Sequence, residues 1–402
     1  MTTPTPERGL RGRDFSLWVG ARFSSQLGRR MAATALAWQI FRLIRNPVAL
    51  GLLGLAEAVP FLLSSPWAGH LVDRHHKKPF MLGAESALLL CAVLYFALGS
   101  LARPPLIAFY AVVGLGGAAF GFGGTASIVY LQLLVPKENF PRAAAWNLAS
   151  FTVAIILGPL VAGGILSVAP ARAVYAASAG LSLAALGLVS LLRFRPAPTE
   201  TGDEEPTLTR ILDGIRFVRS RRLLFACMSL DMIAVLFGDA VAVFPLFADF
   251  WKAGPLGFGI LRAAPAVGAS LVSLVQGWKS VIRPSWKTLK TAVTAFGACM
   301  IAFALSRNMG TAVFFLILAG VADGVSVITR QSLYQAHVPD ALRGRVAALS
   351  GIFVSASNEI GSFESGVAAR LLGTVASVVF GGIMTLATVA TLGWKFRDVG
   401  EN

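Results

Sequence analysis

Charge is scarce in this chain. Only 14% of its 402 residues are Asp, Glu, Lys or Arg, against roughly a quarter in ordinary soluble domains. With 55% hydrophobic residues and a mean hydropathy of +0.70, a water-exposed fold would carry large apolar patches and aggregate. Cysteine is scarce too. Cys91, Cys227 and Cys299 all fall in apolar stretches and suggest neither a disulfide framework nor a metal site. His70, His75 and His76 cluster, but no Cys or carboxylate spacing completes a ligand set around them. No G-x-x-x-x-G-K-S/T loop is present, which argues against an ATP-driven pump. The glycine-rich GLGGAAFGFGG from Gly114 to Gly124 reads as a helix-packing surface. No nucleophile–base pair stands within the apolar stretches, so an intramembrane enzyme is not expected.

What is present is length of apolar run. Soluble core helices average about 11–12 residues, whereas stretches of about twenty, enough to cross a ~30 Å hydrocarbon core, recur here. Twelve such segments are expected: 15–42, 48–72, 80–101, 104–132, 140–168, 172–193, 223–250, 257–280, 286–306, 310–336, 343–370 and 374–394. The net charge of +15 fits topology better than nucleic-acid binding. With a polar, basic N-terminus held inside, the outer loops carry only Arg42, Arg45, Arg103, Arg172, Lys252 and Arg307. Most other Lys and Arg residues lie in the inner loops and termini. By the positive-inside rule both termini are expected in the cytoplasm, and the stretch GHLVDRHHKK (69–78) becomes an inner turn between the second and third spans.

Six spans precede the longest loop and six follow it. The expected division is an N-terminal bundle at 1–195, a cytoplasmic linker at 196–222 and a C-terminal bundle at 223–402. The linker begins Pro-, Thr- and acid-rich, then places Leu208, Ile211, Leu212, Ile215 and Val218 on one helical face. This reads as an amphipathic helix on the inner membrane surface, with Arg210, Arg216 and Arg219 near headgroups. Two pseudo-symmetric six-helix bundles suit a transporter that binds its substrate near the midplane and exposes it to each side in turn.

Ionisable side chains inside a span cost roughly 2.5–3.5 kcal/mol each on insertion scales and usually face a cavity or a partner. In the first span Arg22, Gln26, Arg29 and Arg30 lie on one side, with Arg30 the favoured cavity residue, and Trp38 and Gln39 further out as ligand contacts. In the eleventh, Ser355, Asn358, Glu359, Ser362, Ser365 and Gly366 form a polar stripe about 16 Å long, beside Glu364. Such a stripe marks a water-filled path or a polar interhelical contact. Asp231, Arg262, Asp323 and Arg330 are further cavity candidates, the last two on one helical face. Glu57, Asp239, Glu359 and Glu364 are the candidates for binding a proton within the membrane, a structural ion pair being the alternative for each.

The turn Gly69-His-Leu-Val-Asp73-Arg74-His-His-Lys77-Lys78 resembles the loop signature G-x-x-x-D-R/K-x-G-R/K-R/K of the major facilitator superfamily, with His76 at the second glycine. The resemblance implies that Asp73 latches the start of span eleven, where Arg343 and Arg345 stand in RGRV, and that Arg74, Lys77 and Lys78 extend the charge network. Span five carries GPLVAGG (Gly158, Pro159, Gly163, Gly164), similar to that family's antiporter motif, with Ala162 in place of one glycine. The segments LVPKENFPRAAAWN, GFGILRAAPAVGA and VPDALRGRVAALSGIFVSASNEIGSFESG resemble the subgroup of enterobactin exporters and macrolide-efflux proteins.

The expectation is therefore an all-α membrane protein with twelve transmembrane helices and the major facilitator fold. It would export a small amphiphilic compound, a siderophore or a drug, across a bacterial inner membrane, driven by protons. No cofactor beyond the H⁺ coupling ion and no nucleic-acid partner are expected, and a monomer suffices. A proton symporter importing a metabolite is the alternative within transport. A non-transporting sensor or lipid-binding protein is the alternative outside it.

Overall fold

The computed structural model describes residues 10, 12–194 and 207–397. Among them every regular element is helical, because a bilayer-spanning backbone must satisfy its own hydrogen bonds. Among the described residues nine spans are long and apolar enough to cross a membrane. The remaining three expected segments also hold long helices, at Arg13–Ile44, Trp286–Ala304 and Asp340–Leu372. Their charged and polar residues lower their apolarity.

The chain forms two compact units, passing from the first to the second after Gln39, back after Leu55 and over again after Glu204. The first holds most of α1 (Arg13–Ile44) and α2 (Pro47–Arg74), with α3 (Lys77–Gly99), α4 (Leu106–Leu134), α5 (Phe140–Val168) and α6 (Ala171–Ser190). Its main core gathers Phe15, Trp18, Met81, Tyr130, Leu131 and Val189. Polar ties close its basic end. Asp14 accepts from the backbone N–H groups of Arg193 and Phe194 at 3.0 and 2.6 Å. Lys78 donates to the carbonyls of Ser190 and Leu192, both at 2.7 Å, and so satisfies acceptors left over at the end of α6.

The second unit contains α7 (Thr207–Ser220), α8 (Arg222–Gly238), α9 (Phe244–Phe250), α10 (Gly254–Trp278), α11 (Trp286–Ala304), α12 (Met309–His337), α13 (Asp340–Leu372) and α14 (Thr374–Lys395). It also includes residues 40–55. The backbones of α10 and α12 touch where Gly268 faces Ile317 and Gly320 faces Pro265, positions with no room for a Cβ. Gly373, at φ +92°, turns the chain from α13 into α14 in a region that disfavours other residues.

Two expectations are corrected. Segment 223–250 is not one helix. The α8 helix stops at Gly238, a 3-10 turn spans Val241–Val243, and α9 restarts at Phe244. Pro245 lacks an N–H, and its ring would clash with the carbonyl four residues back, which disfavours a continuous α-helix here and suits the first turn of α9 instead. The amphipathic linker helix α7 does not turn its described apolar face to a membrane surface. Ile215, Phe217 and Val218 pack with Leu224, Met228 and Val346, because α8 and α13 cover that face. The first half of the linker and the side chains of 207–212, Arg210 included, lie outside the described residues.

Candidate functional site

In the first unit the polar face of α1 does what its spacing implies and meets a partner from α2. Arg29 Nη2 lies 3.2 Å from Glu57 Oε1, with the two side chains 20% and 35% exposed. The Arg29 guanidinium also stands 3.8 Å over the centroid of Phe120, a cation–π contact. Arg30 reaches the ring of Phe151 at 5.5 Å. Gln26 is buried, its amide oxygen lacking a hydrogen-bond partner among the described residues. Further along, Trp38 is part of the core, and Gln39 accepts a hydrogen bond from the Tyr175 hydroxyl at 2.7 Å. This half-open pair beside an aromatic ring can hold an anion, or exchange partners when one approaches.

In the second unit the break between α8 and α9 is the organising feature. Asp239 sits at it, and its carboxylate Oδ1 accepts from the freed N–H of Val241 at 3.0 Å. The other oxygen accepts from Ser362 Oγ of α13 at 2.7 Å. The Ser365 hydroxyl donates to the Asp239 main-chain carbonyl. Arg262 of α10 lies close enough to act on this carboxylate electrostatically. Ser365 thus supplies a donor that the interrupted helix lacks and Ser362 one for the carboxylate, and at these two residues the stripe is an interhelical contact. Of its other members, the Glu359 carboxylate lies against Gly54, Ser355 is half-buried and Asn358 exposed.

Asp231 and Arg330 form a buried ion pair joining α8 to α12, their side chains 8% and 6% exposed. Met228, Tyr334, Ser350 and Phe353 surround it and leave no water-sized space. Asp323, on the same helix as Arg330, and Glu364 make no hydrogen bond or ion pair among the described residues, and both are half-buried. An aromatic-floored cavity of about 300 Å³ lies elsewhere in this unit. It is lined by Phe41, Leu246, Phe247 and Phe250, with Arg45 and Asp249 also at its walls.

The loop signature is only partly resolved into contacts. The Asp73 side chain lies outside the described residues. Arg74 is exposed, Lys77 fully buried, and Lys78 occupied with the end of α6. Gly69 has open space around it. Arg343 donates to the Gln335 carbonyl at 3.3 Å, and Arg345 bonds Asp213 of α7 at 2.8 Å. In the α5 motif Gly158 is pressed against Arg30 of α1, Pro159 and Gly163 are buried, and Gly164 faces open space.

Sequence reasoning passed over two groups. Glu85 of α3 is 8% exposed and faces Ser25 and Arg22 of α1. The signal was visible, since it is the lone acid in segment 80–101. Trp18, which donates to Ser127 at 3.0 Å, also ties α1 to α4, and nothing in a lone tryptophan announces that.

Comparison with known proteins agrees with this architecture. The Major Facilitator Superfamily profile matches residues 19–362. The enterobactin exporters EntS of Escherichia coli and of Shigella boydii serotype 18 are each 26% identical over 335 residues, covering 82% of this chain and 79% of theirs. A solved POT family transporter in complex with 5-aminolevulinic acid overlays with a TM-score of 0.76 at 12% identity, covering 99% of both chains. A bacterial homologue of the human lysosomal transporter Spinster, inward-facing and occupied, gives 0.76 at 13% identity over 96% of this chain and 97% of that one. At such identities the two structures speak to the fold alone. With the profile spanning most of its length, the chain belongs to the Major Facilitator Superfamily, as a multi-pass membrane transporter of small molecules and not an enzyme.

Proposed function

We propose that this protein is a proton-coupled exporter of a small amphiphilic compound, a siderophore or a drug, working by alternating access in a bacterial inner membrane. Both termini are cytoplasmic in this reading, and one copy of the chain suffices. The observation that carries it is Asp239, an acid set in a helix break and held by the serines of α13. A carboxylate so placed can trade its hydrogen bonds for a proton as the helices shift. Arg29 with Glu57 over Phe120 offers a matching site for an anionic, aromatic-bearing molecule. The relatives' function, enterobactin export, supports the direction and the substrate class.

The test is proton flux in liposomes carrying the purified protein, read with an internal pH dye against a panel of siderophores, enterobactin included, and macrolides. Wild type is compared with Glu57→Gln, Asp239→Asn, Glu359→Gln and Glu364→Gln. Compound-dependent proton movement lost in Asp239→Asn is the expected result. Movement of proton and compound in the same direction would turn the reading to symport. Compound transport with no proton movement would end the proton coupling.

A further inference from the structure

Glu85 has no part in the site described above, and its surroundings are unusual for a carboxylate. It stands on α3 two turns from the lysines that begin that helix, and it is 8% exposed. It faces Ser25 of α1, while its Oε2 is buried with no hydrogen-bond partner among the described residues. Opposite it is Arg22, whose Nε is likewise buried and unpartnered. One turn on, the Gln26 amide oxygen is a third buried atom without a partner. These groups converge from two neighbouring helices, yet Glu85 and Arg22 form no ion pair among the described residues.

Burial of an ionised carboxylate with a bare oxygen is strongly unfavourable, and a buried group in that position neutralises instead. A carboxylic acid is neutral, and it can donate its own proton to a hydroxyl such as Ser25 Oγ. The Arg22 side chain as a whole is only partly buried, although its Nε is enclosed. Among the described residues no other charge acts on Glu85. At this level α4 presents Gly123, packed on Ala84, and Ser127, taken by Trp18. Ser178 and Ser182 are buried on α6, the first bonded to the Val174 carbonyl of its own helix. Arg29, two turns along α1, is bound to Glu57. On α3 itself the nearest charges are Lys77 and Lys78.

We propose that the Glu85 carboxyl, set between Ser25 and Arg22, is a proton-binding site of the transport cycle. It holds its proton in the conformation seen here and releases it to water when Arg22 closes on it. The ionised carboxylate then accepts from the Arg22 guanidinium, whose Nε–H has no partner now, so one proton leaves as one ion pair forms. This rests on the proton-coupled reading above, but it places a proton on a residue and a helix that reading does not use.

The test is infrared difference spectroscopy of the full-length protein in liposomes across a pH series, with Glu85→Gln, Glu85→Asp and Arg22→Gln beside wild type. Expected is a buried carboxylic-acid band in wild type that fades as pH rises. It should be absent from Glu85→Gln and kept, shifted, in Glu85→Asp. It should persist to higher pH in Arg22→Gln, because the cation that favours ionisation is gone. Thermal unfolding in detergent confirms that the near-isosteric Glu85→Gln is folded. A spectrum identical in wild type and Glu85→Gln at every pH overturns the proposal. Proton flux measured alongside, with the same siderophore and macrolide panel, separates the two readings. Wild-type flux that Glu85→Gln retains overturns the role of Glu85 and leaves coupling standing. Absence of wild-type flux removes coupling, and with it the transport role of this site, even where the band is present.

Discussion

The two units put opposite charges at matching points of their first long helix. Arg22 is the tenth residue of α1, and Asp231 the tenth of α8. Asp231 has met its counter-charge: Arg330 closes on it with both side chains under a tenth exposed and no space for water. Arg22 has not, and Glu85 across from it keeps a bare oxygen. Between these extremes stands Arg29 with Glu57, bonded but a fifth to a third open. A closed pair in a low dielectric is expensive to part, whereas an incomplete one can take up a proton, an anion or a new partner. The pair in the second unit therefore holds α8 to α12, and the groups in the first are the ones free to change partner.

Breaking the closed pair is expected to have the largest effect. Arg330→Met leaves Asp231 buried alone and should lower the unfolding free energy in detergent by about 3–5 kcal/mol. Adding Asp231→Leu should recover most of that loss, because no charge then remains to be compensated. A single-variant loss under about 1 kcal/mol would mean that the pair is open in solution and no different in kind from Arg29–Glu57. Next in size is Ser365→Ala, which strips the donor from the Asp239 carbonyl and should cost about 1–3 kcal/mol. Ser357→Ala is its control. That hydroxyl only doubles a bond to Phe353 of its own helix, so its loss should be near zero in the same thermal unfolding measurement.

Which of these contacts could be read from sequence follows from how far apart their residues are. The nine spans that qualify among the described residues are legible because run length is a local property that a bilayer enforces. The face shared by Ser362 and Ser365 is legible for the same reason, since one helix fixes it. Their partner is not, because Asp239 lies 123 residues away from Ser362 and only packing brings them together. Gly238 and Pro245 announce the break between α8 and α9, but a run-length criterion passes over them because the residues around the break are as apolar as a helix would be. Arg330 showed a same-face acid in Asp323, yet it pairs with Asp231 of another helix. The linker helix shows why its apolar stripe was misassigned. Ile215 and Val218 read alike whether lipid or protein covers them, and here α8 and α13 do.

A smaller effect belongs to the clasp on that linker helix. Asp213 and Arg345 are each about a third exposed, so Asp213→Ala should cost only about 0.2–1 kcal/mol. The loss should shrink in high salt, since screening reaches exposed pairs and spares buried ones. Arg330→Met measured in the same salt series should not change. If the two respond alike, exposure is not what distinguishes them.

The smallest expected effect bears most directly on the comparison. A double-mutant cycle on Arg22→Gln and Glu85→Gln should give a coupling energy within about 0.5 kcal/mol of zero at acid pH, the range of independent sites. The same cycle on Asp231 and Arg330 should give several kcal/mol. As pH rises the first value should grow, because an ionised Glu85 is attracted to Arg22 and a protonated one is not. The second should stay constant, because that pair is already closed and shut off from water. A large coupling between Arg22 and Glu85 at acid pH would show a pair already formed. The first unit would then hold a second structural lock, and the contrast between an available carboxyl and a committed one would be lost.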